Sequence, residues 1–488
     1  MSQRANSPHP EDEHLLRQLG YQQELARRMS GFSNFAISLS IICILAGGIT
    51  SFQVGLCSVG GASIGIGWPL VCLFSLTVAL TMAQIASAFP TAGGLYHWGS
   101  ILGGRGCGWA TAWFNLAGLV TVLAAINAGT YDFAIAAFNM TPPPAHALLM
   151  RTSVVVFMTL SQGLLNHYGI RLTTLLTDLS GYLILVVAAI LTVALVMATK
   201  HFEWSRLWTF TNYSGFPEGD GAIFPKQTSM AWLFALGFLL PAYTITGFDA
   251  SAHTSEETIG AARNVPKGII RSVWVSSLFG WIMLCAILLA LPSVREGVDK
   301  GADVVHWLVK TVLPGWLAWS LLAGIVAAQY LCGLAALTSS SRMMFAFARD
   351  GGLPLSRVLR VVNPRSGSPS IAVWAVAVCA ALFTIFVPYT TIAAVCTVLM
   401  YISYVLPVAA GFFVLGKSWT RLGPWRLGVW YRPLAVLAVL GCLFLIVIGM
   451  QPPNQQAVWI VGGVSVLLVV VWFAVERRRF KGPPEVRS

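Results

Sequence analysis

Long apolar runs recur twelve times along this chain, and that repetition leaves few folds open. The runs lie at roughly 32–59, 64–89, 106–138, 147–165, 170–198, 228–257, 268–291, 304–341, 369–388, 390–416, 432–450 and 456–475. A helix crosses a bilayer with ~20 apolar residues. Lipid offers no hydrogen bonds to the backbone, so such runs cross as helices. The expected fold class is an all-α integral membrane protein with twelve transmembrane helices. Several runs exceed a straight crossing, so they must tilt, break or protrude. With 56% of residues hydrophobic and a mean hydropathy of +0.74, a water-soluble domain is excluded.

The basic residues set the orientation. If residues 1–29 lie inside, the inner segments hold 23 Lys and Arg and the outer segments 7. The positive-inside rule then makes both termini cytoplasmic. This alternation also accounts for the net charge of +12 without a nucleic-acid partner, since the bases do not form one patch. Residues 1–29 lack the apolar core of a cleavable signal. Within them, 11–31 (EDEHLLRQLGYQQELARRMSG) reads as an amphipathic segment on the inner membrane surface, with Arg27 and Arg28 near anionic headgroups. Residues 476–488 form a short basic cytoplasmic tail. The nine cysteines contain no C-x-x-C pair, so no metal site or disulfide framework is expected. No cofactor is implied, and no phosphate-binding loop of the Walker type is present.

Two runs carry helix breakers at mid-span. In the first, AGGITS (46–51) places Gly47 and Gly48 before Ile49, Thr50 and Ser51. Glycine weakens a helix by about 1 kcal/mol relative to alanine. The plain alternative is close helix packing through small residues. In the sixth, Pro241 precedes Tyr243, Thr244, Thr246, Gly247 and Phe248, and Asp249 follows at once. The two interruptions open two comparable five-span units, 30–200 and 228–416, with spans 11 and 12 at 432–475. An odd repeat length inserts the second copy upside down. Matching broken helices in inverted halves point to a transporter's binding site. Half-helix N-termini suit a carboxylate, and freed carbonyls suit an ammonium. Together they describe an amino acid.

Five segments carry a family resemblance over nearly the whole chain: LGYQQELARRMSGFSNFAISLSI (19–41), FPTAGGLYHW (89–98), NHYGIR (166–171), YTITGFDASAHTSEE (243–257) and SSSRMMFAFARDGGLP (339–354). The chain resembles the amino acid–polyamine–organocation transporters. It is most similar to the amino acid/choline branch, which includes GABA permeases and bidirectional plant amino acid transporters. The resemblance implies a LeuT-like fold of 5+5 inverted repeats plus two C-terminal helices, alternating access around spans 1 and 6, and a plasma-membrane location. It implies that Gly47, Gly48, Ile49, Thr50 and Ser51 meet a carboxylate. It assigns the carbonyls of Tyr243, Thr244 and Thr246 to an amine, with Gly247 giving room and Phe248 as an aromatic gate. Proton-coupled relatives often carry a lysine midway along span 5, whereas this chain reads TDLSGYLILVVAAIL (177–191). Proton coupling through another carboxylate, sodium coupling and exchange all stay open.

The acids are the other candidates. An unpaired charge at mid-membrane costs at least about 2.5 kcal/mol, so each should face a cavity or a partner. Asp249 is read as a cap on the second half of span 6, with coupling as the alternative. Glu256 and Glu257 are read as inner-gate acids paired with bases such as Arg263 or Arg342. His253 is read as polar packing. Asp132 and Asp178 are coupling candidates by default, although Asp178 can also sit near the inner interface. Gln84, Asn115, Asn127 and Gln329 can line the path or bridge helices. Of Trp232, Tyr330 and Tyr401, one is expected to reach the pocket. The function read from these features is secondary transport of a small, possibly GABA-like amino acid, with an organic-cation carrier for choline or a polyamine, or an exchanger, as alternatives. A membrane enzyme is excluded because His97 has no acid partner near it in sequence.

Overall fold

The computed structural model describes residues 9–387 and 389–484, so residues 1–8 and 485–488 of the two tails lie outside the described residues. Among the described residues the regular structure is helical, with two isolated β-bridges. Ten helices are long and apolar enough to cross a membrane, and Met230–Thr244 and Ser370–Ile385 are shorter apolar segments.

In chain order the helices are α1 (Pro10–Gln18), α2 (Gly31–Ile42), α3 (Gly47–Thr50), α4 (Phe52–Leu56), α5 (Trp68–Ala88), α6 (Leu95–Ala137), α7 (Ala147–His167) and α8 (Ile170–Ala198). After a loop follow α9 (Met230–Gly237), α10 (Leu239–Thr244), α11 (Ala250–His253), α12 (Ala261–Ala290), α13 (Val294–Lys300), α14 (Val304–Val312) and α15 (Gly315–Arg349). The last are α16 (Ser356–Leu359), α17 (Ser370–Phe386), α18 (Tyr389–Val414), α19 (Tyr431–Gly449) and α20 (Gln455–Val471).

The expected runs correspond to these helices with two corrections. The run 304–341 is not one span. Pro314 has no amide hydrogen and ends the amphipathic α14, so the crossing helix is α15. The run 106–138 begins too late: helix starts at Leu95, and the chain turns at Gly104, whose φ of 83° suits glycine.

Helices α6, α15 and α18 form the buried middle, with α2 and α12 against it. By contrast α7, α8, α19 and α20 leave large apolar side chains outside, including Leu148, Phe157, Leu175, Met197 and Trp459. Such a surface is stable only against lipid, which is as apolar as the side chains themselves.

The N-terminal segment departs from expectation. Its apolar side chains Leu16, Leu19, Tyr21, Leu25 and Met29 are buried against the protein, not laid on a membrane surface. The amides of Arg28 and Met29 donate to the Glu257 carbonyl, and the Met29 carbonyl accepts from Ile259. The Asp12 carboxylate caps α12, accepting from the amides of Gly260 (2.8 Å) and Ala261 (3.1 Å). Arg27 donates to the carbonyls of Ser255 and Thr258, so it is not available to headgroups. The exposed Arg28 side chain is.

Candidate functional site

Both breaks are present. Residues 43–46 separate α2 from α3, and Cys43 has a φ of 28° that no helix accommodates. The Cys43 carbonyl accepts from the amides of Ala46 and Gly47. In the sixth crossing, residues 245–249 separate α10 from α11, with Gly247 at φ 85°. A side chain at Gly247 would strike Ile41, its Cβ standing 2.3 Å from Ile41 Cγ2. The two breaks touch: a Cβ on Gly47 would lie 2.8 Å from Thr244 Cα. Here glycine is needed for the approach of two backbones rather than for flexibility.

Between the breaks lies a small cavity. Gly47, Thr50 and Ser51 line it from one side, Tyr243 and Thr246 from the other. Gly48, Ile49, Thr244, Gly247 and Phe248 do not line it. Gly48 faces Leu284 and Met283, and Ile49 is buried. Thr244 returns its hydroxyl to the Leu240 carbonyl. Phe248 is fully buried against the Tyr404 ring, 4.9 Å between centroids, and its carbonyl accepts from Ser38. It packs below the cavity rather than over it.

Of the remaining walls only Gln329 was foreseen, as a residue able to line the path. Val122, Ala125, Ile126, Gly129 and Thr130 come from α6, and Ala393, Cys396 and Thr397 from α18. Gln329 of α15 also lines the cavity, and its amide donates to the Leu45 carbonyl at the first break (3.0 Å). None of Trp232, Tyr330 and Tyr401 is a wall residue. The described lining holds no Asp, Glu, His, Lys or Arg. A second, larger space shares Thr50, Ser51, Tyr243 and Ala393 with the cavity. It extends past Gln53 and Asn454 to Gly221–Phe224 of the long loop. The site therefore abuts a space on the side opposite the termini.

Two buried ion pairs lie toward the terminal face. The Arg342 guanidinium grips Glu257 twice (3.0 and 3.1 Å), and both side chains are fully buried. Arg349 grips Glu256 twice (2.9 and 2.9 Å) and stacks over the Tyr21 ring at 3.9 Å. Arg342 is one of the partners expected; Arg349 takes the other place, not Arg263. Tyr21 and Tyr96 both donate to Asp350 (2.7 and 2.8 Å). Burial pushes the Asp350 carboxyl above its ordinary value of 3.8, with Arg349 and the tyrosine hydrogen bonds opposing.

Asp249 is fully buried and makes no capping bond to α11, contrary to the expected role. Its Oδ1 accepts from the Tyr404 hydroxyl (2.8 Å), and its Oδ2 faces the Asn115 amide (2.9 Å) and His253 Nε2 (3.1 Å). Asp132 lies at the far end of α6, 45% exposed and 3.5 Å from Arg151. Asp178 is half-buried near the start of α8 and accepts from Ser33 (3.1 Å). Neither reaches the cavity. Gln84 and Asn127 bridge helices, to the Leu427 amide and to Thr159 and Gln162.

A neutral cavity between two broken apolar helices, with buried charge pairs toward one face, agrees with what the chain is similar to. The amino acid permease family model matches residues 29–475. The chain belongs to the amino acid permease family. The permease is 33% identical to the amino-acid permease BAT1 of Arabidopsis thaliana, over 96% of this chain and 95% of the plant protein. It is 33% identical to a BAT1 homolog of Oryza sativa, over 96% and 94% of the two chains. The GABA-specific permease of Saccharomyces cerevisiae is 29% identical, over 97% of this permease and 86% of the yeast protein. These relatives are named as permeases, not enzymes, and the substrate class of this permease is amino acids.

Proposed function

We propose that the permease is a secondary transporter for a small, net-neutral amino acid. It works by alternating access around the two broken crossings, within two inverted five-span units. The observation that carries the reading is the uncharged cavity bounded by both breaks. A carboxylate fits beside the first turn of α3, at the positive end of the short helix. An ammonium fits on the carbonyl side of the second break, around Tyr243–Thr246. Ile42, Val122 and Ile126 leave an apolar wall for the rest of the substrate. A polyamine would need acids, and choline would need an aromatic cage; Tyr243 is the single aromatic in the described lining. The relative named as GABA-specific makes GABA the first substrate to test.

With the terminal face taken as cytoplasmic and the membrane as the plasma membrane, the structure corresponds to an outward-connected state. The test is uptake into liposomes holding the purified protein, with radiolabelled GABA, alanine, arginine and choline under separate sodium and proton gradients. Saturable uptake of GABA or alanine supports the reading. Uptake of choline or arginine alone overturns the zwitterion site.

A further inference from the structure

His253 has both ring nitrogens against acceptors. Nδ1 stands 3.2 Å from the Ala92 carbonyl, and Nε2 stands 3.1 Å from Asp249 Oδ2. A carbonyl oxygen only accepts, so the Nδ1 contact is a hydrogen bond only where Nδ1 carries hydrogen. A neutral imidazole would then turn the bare lone pair of Nε2 toward a carboxylate oxygen. The contact is favourable only with one more proton, placed on Nε2 or on Oδ2. The other carboxylate oxygen does not hold it. Tyr404 accepts from the Gly247 amide (3.0 Å), so its own hydroxyl hydrogen points at Oδ1. Both side chains are fully buried, where a loaded pair of zero net charge is favoured over a lone carboxylate.

The pair also sits on a continuous chain of hydrogen bonds. It begins at Gly247, beside the cavity wall residue Thr246, and runs through Tyr404 to Asp249 and His253. It continues across the backbone of Ala92, whose carbonyl faces His253 and whose amide, in the preceding peptide group, donates to Glu256 Oε1 (3.1 Å). Glu256 holds Arg349. One residue, Ala92, therefore joins the Asp249–His253 pair to the Glu256–Arg349 ion pair through its two flanking peptide groups.

We propose that Asp249 and His253 together form a proton-binding site, loaded in this state, whose proton couples amino acid movement to opening of the terminal face. The proton arrives from the face opposite the termini and leaves to the terminal side. Its loss removes one hydrogen bond of His253 and weakens the link through Ala92 to Glu256 and Arg349. Charged and titratable groups on the surrounding elements are otherwise matched: Glu256 by Arg349 and Glu257 by Arg342. His97 of α6 bonds Thr91, and Tyr404 of α18 belongs to the chain itself. The proposal rests on the transporter reading for its coupling half, and its protonation half stands apart from it.

Two measurements test the halves separately. In the full-length protein with 15N-labelled histidine, the spectrum of wild type minus His253→Gln should show a ring with both nitrogens protonated, or one sharing a proton with Asp249. A spectrum of a neutral ring with one bare nitrogen overturns the site, whatever the transport result. In liposomes, Asp249→Asn and His253→Gln should retain substrate counterflow while accumulation driven by a proton gradient falls at least tenfold. Proton-driven accumulation that persists in both variants overturns the coupling role, even where their melting temperatures drop. If wild type shows neither counterflow nor accumulation with any amino acid, the transporter reading and the coupling role fail together, and the 15N spectrum still decides the site.

Discussion

Replacing Arg342 by methionine should open the terminal face. The guanidinium gives Glu257 two charge-assisted hydrogen bonds, and neither side chain has any exposed surface. Removing one partner of such a pair leaves an uncompensated buried charge, which costs about 3–5 kcal/mol. The closed state bears that cost, because any arrangement that admits water at Glu257 hydrates the carboxylate. At about 1.4 kcal/mol per tenfold, even the lower figure shifts the balance between closed and open forms by about two orders of magnitude. A cysteine placed at Ser339, buried one turn before Arg342, reports the change. Cys107, Cys285 and Cys379, which are not fully buried, and Cys396, which lines the cavity, are first replaced by serine. The Arg342→Met protein should label at least tenfold faster with a thiol reagent and melt at a lower temperature. Adding Glu257→Gln removes the orphaned charge and should recover most of both losses. If Arg342→Met labels and melts like its parent, the pair does not hold this face shut.

Other consequences follow from the site. Gly47→Ala drives a methyl to 2.8 Å from the Thr244 backbone. Overpacking of this kind costs about 1–3 kcal/mol; uptake should fall at least tenfold with folding retained, while Gly462→Ala, with open space around it, should transport normally. Cys396 lines the cavity, so saturating amino acid should slow its modification by a small thiosulfonate severalfold; equal rates with and without substrate would place the substrate elsewhere. Burial raises the Asp350 carboxyl above 3.8. The folded protein therefore keeps this proton to higher pH than the unfolded chain does, and the associated stability is lost as pH rises through the raised value. Asp350→Asn should lack this component in a melting series upward from pH 4, and identical wild-type and variant curves would count against the raised carboxyl.

The crossings, their number and their breaks are written locally. An apolar run longer than ~20 residues has one stable solution in lipid, and Gly47-Gly48 or Pro241 with Gly247 interrupts a helix wherever the helix lies. That is why Gly47, Thr50, Ser51, Tyr243 and Thr246 could be named from the sequence as residues at one place. The end of α14 was legible too, since Pro314 carried the signal, but the apolar run masked it. What only the tertiary structure decided is which distant groups meet. Nothing near Asp249 in sequence indicates Asn115 or Tyr404, which lie 134 and 155 residues away. Nor does the pattern around Leu16 and Leu25 separate a membrane surface from a protein surface, because burial removes apolar area from water equally in both. The walls from α6 and α18 are small or apolar residues with no chemical signature of their own. Charge pairs such as Glu256 with Arg349, and the two acceptors that confine His253, arise from packing, since strong electrostatic partners act through space and not along the chain.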